Sequence, residues 1–159
     1  MVKSKKMAAL ILAAMLAVSS SAAMAVTVSA EEDTAVAYSS EEKTWGDYDY
    51  RILDDGTVEI TKYTGKDTNI TIPSKIDGNK VTSIGESAFS YCENLKNVKV
   101  PNCVKTIQSY AFNNCTSLEN INLPNSIEKI GNNVFFSCRK LNNVVLPKGI
   151  TTISDNTFM

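Results

Sequence analysis

The sequence predicts a solenoid, mainly β, whose 23-residue coils stack so that strands in successive coils pair into parallel sheets. Three observations predict it. Ile84, Ile107, Ile130 and Ile153 recur every 23 residues, and Phe89, Phe112, Phe135 and Phe158 keep the same interval. Cys92, Cys115 and Cys138 follow it too, with Leu95, Leu118 and Leu141 and with Pro101, Pro124 and Pro147. Finally, units of about 23 residues bury too little apolar surface to fold alone, so each must find its core against its neighbours.

Taken in order, residues 1–30 read as a secretory signal peptide: Lys3, Lys5 and Lys6 precede an apolar run over 7–18, and small residues follow. Cleavage fits after Ala25 or after Ala30. The run is short for a membrane anchor, and nothing later is apolar enough to span a bilayer, so no membrane span is expected after signal cleavage. Residues 31–44, with Glu31, Glu32, Asp33, Glu41 and Glu42 among Ser, Thr and Ala, read as a flexible acidic tether. Residues 45–67 read as an N-terminal β-hairpin cap, because Asp54-Asp55-Gly56 separates two strand-like runs. Residues 68–159 form the solenoid, opening with a strand at 69–72.

One unit shows the logic. Ile121 and Leu123 alternate with Asn120 and Asn122, the period of a strand. Pro124, with no N–H for a ladder, ends it. After a corner at Pro124-Asn125-Ser126, residues 127–130 read as a second short strand. Residues 110–115 suit a short helical or 3₁₀ turn that carries Ala111, Phe112 and Cys115 inward. One unit breaks the rule: Pro73 and Pro101 lie 28 residues apart, which places five extra residues at 76–80, around Asp77-Gly78.

Composition narrows function. Beyond residue 30 the chain carries 13 basic residues (16 less the three leading lysines) against 17 acidic ones, a net charge of −4. That offers no basic patch for nucleic acid. The absence of histidine removes Ser-His, Cys-His and histidine–metal chemistry, and no phosphate-cradling glycine motif is present. The chain reads as no enzyme and as needing no cofactor.

The unit I-G/x-x-x-A/V-F-x-x-C-x-x-L-x-x-V/I-x-L/V-P resembles the BspA-type leucine-rich repeat, and residues 72–85 are similar to that family's usual first repeat. The resemblance covers about residues 45–159. It implies a leucine-rich-repeat solenoid of a secreted or surface-displayed bacterial protein, some relatives of which adhere to host matrix proteins or other bacteria. The last unit stops partway, at Phe158-Met159, with no anchoring motif or polar capping repeat. This reads as a truncated chain, whose bare last coil would fray or associate end to end.

In leucine-rich-repeat proteins the binding surface is usually the sheet face, so the resemblance places a partner on the outward strand positions. Aligned on the prolines, these form one column of Asn69, Asn97, Asn120 and Asn143 and another of Thr71, Lys99, Asn122 and Val145. Asparagines supply donors and acceptors without a desolvated charge, which suits an extracellular protein or glycan. The alternative is an amide ladder whose members satisfy one another.

Other candidates have plainer readings. Cys92, Cys115 and Cys138 should stack as small core residues rather than as disulfides or metal ligands, since a column offers parallel rather than convergent side chains. Cys103, at a corner held elsewhere by Ser126 and Gly149, reads as a semi-exposed thiol; its pairing with Cys92 or Cys115 stays open. Asp54-Asp55-Gly56 reads as a turn rather than a calcium loop. Trp45, Tyr48, Tyr50 and Tyr63 read as a seal on the first coil rather than a sugar-stacking patch. The function expected is a non-catalytic module for protein binding or adhesion, the alternative being a targeting appendage of a larger extracellular enzyme.

Overall fold

The computed structural model describes residues 41–154 and 156–159. The expected signal peptide and residues 31–40 of the expected tether lie outside the described residues. Strand β1 (Lys43–Trp45) takes the last two residues of that tether, so a strand starts where solvated chain was expected.

β1, β2 (Tyr48–Ile52) and β3 (Val58–Tyr63) form an antiparallel meander. The β2–β3 loop is closed by Asp55, whose carboxylate accepts from the Thr57 amide at 2.8 Å and the Thr57 hydroxyl at 2.6 Å. β3 then pairs in parallel with β6 (Asn79–Ile84), β6 with β8 (Thr106–Ile107), and β8 with β10 (Lys129–Ile130). The cap thus continues one sheet of the solenoid. A second sheet, wholly parallel, runs β4 (Asn69–Thr71), β7 (Asn97–Lys99), β9 (Asn120–Asn122) and β11 (Asn143–Val144). Each of the first three coils gives one strand to each sheet, with the proline corner between them.

The register is the sequence period made spatial. Ile60, Ile84, Ile107 and Ile130 stand opposite one another inside the first sheet, and Ile70, Val98, Ile121 and Val144 inside the second. Phe89, Phe112, Phe135 and Phe158 stack with centroids 4.9–5.8 Å apart and planes within 19°. Tyr63 extends that stack into the cap, 5.3 Å from Phe89. Its amide donates to Ala88, as the Phe89 amide does to Ala111 one coil later.

The segments expected as helical or 3₁₀ turns are neither. Isolated turns close there, such as Ala111 N to Gln108 O and Cys115 N to Phe112 O, but alternate amides leave the coil altogether. Tyr110, Phe112 and Asn114 donate to Asn132, Val134 and Phe136 of the next coil. Turning those amides outward puts Tyr110 at φ 59° and Asn114 at φ 56°, left-handed conformations that stop a helix from propagating. The positions recur: Ser87, Tyr110, Asn133 and Asn156 form one left-handed column, and Tyr91, Asn114 and Ser137 another.

The five extra residues form a hairpin. β5 (Lys75–Ile76) pairs antiparallel with the start of β6. The turn has φ 48° at Asp77 and 81° at Gly78, the pair of positive values that a two-residue hairpin turn needs and that glycine adopts without strain. The buried Tyr50 hydroxyl donates to the Asp77 carboxylate at 2.5 Å, tying this hairpin to the cap.

Candidate functional site

The second sheet presents the columns read from the sequence. Asn69, Asn97, Asn120 and Asn143 are in mutual register, as are Thr71, Lys99 and Asn122. In β4, β7 and β9 the flanking residues are exposed and only the central Ile70, Val98 and Ile121 are buried. Val145 follows one residue beyond β11 and is 77% exposed. The amides do form a ladder: Asn97 Nδ2 donates to Asn69 Oδ1 at 2.5 Å and Asn120 Nδ2 to Asn97 Oδ1 at 2.9 Å. Each Nδ2 has two hydrogens, so a donor stays available even within the ladder. Stacking and presentation therefore coexist, and the ladder fixes the rotamers of the amides it displays.

Two shallow depressions cover this face. One, of about 370 Å³, lies over β4, β7 and β9; the other, of about 450 Å³, runs from Asn120 and Asn122 to Val145. Lys99 is the one charged residue among the eight predicted positions. A larger cavity, about 530 Å³, opens beside Phe135, Cys138, Leu141 and Phe158. Those residues belong to the core columns, where a coil earlier the equivalent positions are covered.

The cysteines are all free thiols. Cys115 and Cys138 each donate to a carbonyl of the preceding coil, Phe89 and Phe112, at 3.1 Å. A weak donor of this size fills the core position and satisfies a backbone acceptor at once. Burial pushes the half-buried Cys92 thiol up to about 11. The neighbouring Cys138 thiol, together with burial, raises Cys115. Cys103, half-buried, reaches the Ser74 carbonyl at 3.4 Å. Tyr48, Tyr50 and Tyr63 are buried in the cap, whereas Trp45 is 42% exposed on β1.

Sequence reasoning missed a polar hub. Glu59 alternates outward on β3, yet it is only 3% exposed. Its carboxylate meets the Arg51 guanidinium at 2.5 Å, accepts from the Ser83 hydroxyl at 2.8 Å and accepts from the Gln108 amide. It thereby joins the cap to two successive coils. The register gives the only early signal: Glu59 stands opposite Ser83, which stands opposite Thr106.

Residues 59–159 match the BspA type leucine-rich-repeat region in six copies. No curated protein matches the chain at a significant level. Among solved structures, the chain is similar to a leucine-rich-repeat protein of T. pallidum, with 30% identity and a TM-score of 0.58, over 74% of this chain and 66% of that one. It is similar to a leucine-rich-repeat protein of Bacteroides capillosus at 29% identity and a TM-score of 0.66, over 72% of this chain and 88% of that one. A leucine-rich cell surface protein of Faecalibacterium prausnitzii shares 29% identity with a TM-score of 0.58, over 74% of this chain and 40% of that one. The chain thus spans just under two thirds of the T. pallidum protein and well under half of the F. prausnitzii one.

Proposed function

We propose, from the premise that this chain belongs to the BspA-type leucine-rich-repeat family, that it acts as a secreted or cell-surface module that binds a protein, and adheres through it, without catalysing a reaction. The observation that carries the reading is the exposed face of β4, β7, β9 and β11: a rigid parallel sheet with hydrogen-bonding side chains in register and a single charge. Four strands at roughly 4.8 Å spacing give a flat, repetitive surface on which many weak contacts can add. The export signal read in the sequence and the F. prausnitzii protein described as a cell surface protein support the location.

The test uses Thr71 and Asn122, which flank Lys99 on this face and take no part in the amide ladder. Replacing both by Glu reverses the local charge while leaving the ladder intact. Against a panel of purified extracellular-matrix proteins, surface-plasmon resonance should show the wild-type chain retained and the double variant losing about ten-fold or more in affinity. Wild-type affinity in the variant for every protein that binds would sink the proposed face.

A further inference from the structure

We propose that a cleft between the cap and the first coil is a binding site for a neutral carbohydrate, separate from the sheet face. Its walls are residues 64–67, which lead from β3 to β4, and residues 90–95, which lead into β7; the volume is about 340 Å³. That lies at the small end of ligand pockets, which run from roughly 300 to 1,000 Å³, and suits a mono- or disaccharide unit.

The backbone explains why the cleft exists here. The Tyr63 amide donates to Ala88 and the Lys96 amide to Thr68, so the cap is pinned to the coil at both ends of the loop. Between those points, among the described residues, no backbone hydrogen bond joins 64–67 to 90–95; the Thr64 amide turns away to Asp47 instead. One coil on, the Tyr91 amide donates to Asn113 and closes the corresponding gap.

Tyr91 supplies the platform. It is 67% exposed and sits at φ 61°, where the following coils place Asn114 and Ser137. A bulky side chain in this conformation costs about 1–2 kcal/mol, and an exposed ring recovers little of that by packing. The repeat sets this backbone angle, and here it displays an aromatic face, the surface on which the C–H face of a pyranose stacks. Around it stand Lys66, Asp67, Glu93 and Asn94, whose carboxylates, amide and ammonium can bond vicinal hydroxyls. One positive and two negative charges leave a local net of −1, which disfavours phosphorylated, sulfated or sialylated ligands. At the floor, the Tyr63 hydroxyl is buried beside the Asp67 backbone amide. Gly65 lies over it so closely that an added Cβ would sit 2.3 Å from the hydroxyl oxygen. Any larger residue there would have to push the Tyr63 ring aside.

The test is saturation-transfer NMR and calorimetry on the full chain with cellotetraose, maltotetraose and mannotetraose, and with sialyllactose as the charged comparator. At least one neutral sugar should bind and perturb the Tyr91 ring, and sialyllactose should not. Tyr91→Asn, which installs the residue the next coil carries at this position, should weaken binding about ten-fold or more with a melting temperature equal to or above wild type. Tyr91→Phe, which keeps the ring, should retain most of the affinity. Absence of binding by all three neutral sugars, or wild-type binding by Tyr91→Asn, would overturn the proposal.

Discussion

The regular coils and the junction between cap and first coil satisfy polar groups in different ways. In the coils, most such side chains end on the coil before: Cys115 and Cys138 on the carbonyls of Phe89 and Phe112, Ser126 on that of Val104, Asn120 on the Asn97 amide, with Ser90 reaching forward to Asn113. One solution is translated along the stack. At the junction there is no earlier coil to translate from, and polar groups converge instead. Glu59 gathers Arg51, Ser83 and Gln108, and Tyr50 reaches across to Asp77 on the added hairpin. Repetition makes satisfaction cheap wherever a neighbour of the same kind exists. The first coil needs side chains specific to it, and its irregularities mark where they are.

The sharpest way to break this comparison is to remove one central element from each region. Phe112→Ala deletes a fully buried ring stacked between Phe89 and Phe135, and should cost about 4 kcal/mol in urea unfolding. Glu59→Ala strands the Ser83 and Gln108 donors and the partly exposed Arg51, and should cost about 2 kcal/mol. Both variants should still unfold in a single transition, since the hub ties the cap to two coils. A Glu59→Ala chain as stable as wild type would mean that the junction rests on apolar stacking alone, like the coils.

How much of this was legible follows the same division. Every inward column, from Ile84 to Pro147, could be read from the period, because translation by one coil carries each residue onto its counterpart. The place of the five added residues and their Asp77-Gly78 turn were readable too, though not the pairing of β5 with β6 that makes them a hairpin. The turns were not. Local propensity at 110–115 is compatible with a helix, and what forbids it is that alternate amides bond to the next coil. Glu59 was hidden for a related reason. Alternation places it outward, and the residues that cover it are Arg51, on another strand, and Gln108, just past β8 and 49 positions away. The amide ladder of Asn69, Asn97 and Asn120 was legible too, as one of two readings of that column, because the period stacks each amide on the next.

A smaller effect of opposite sign separates strain from packing. Tyr110 occupies the left-handed column held elsewhere by Ser87, Asn133 and Asn156, and its ring is 40% exposed. Tyr110→Asn should therefore stabilise the chain by about 1 kcal/mol, read as a rise in melting temperature. Junction residues held by side-chain partners, such as Glu59 and Tyr50, should offer no such gain. A destabilised Tyr110→Asn would show that the ring packs against its coil after all.

The smallest effect is alkaline, and it can divide the two regions by pH. Burial raises the Cys92 thiol from 9.0 to about 11, and burial beside Tyr63, Asp47 and Asp67 raises the cap residue Tyr48 from 10.0 to about 12. A group whose pKa is higher folded than unfolded holds its proton in the fold after the unfolded chain has lost it. Its contribution is whole below the unfolded value and declines as pH rises to the folded one. Stability should thus fall first between pH 9 and 11, where Cys92 acts, and again between 10 and 12, where Tyr48 acts. Both groups partly meet solvent, so the slopes should be shallow. Tyr48→Phe should flatten only the upper part of the curve and Cys92→Ala only the lower. If Tyr48→Phe leaves the upper slope unchanged, the cap does not hold that phenol out of water, and the seal it makes on the first coil is looser than the packing of Tyr48 against the stacked rings of Tyr63 and Phe89 requires.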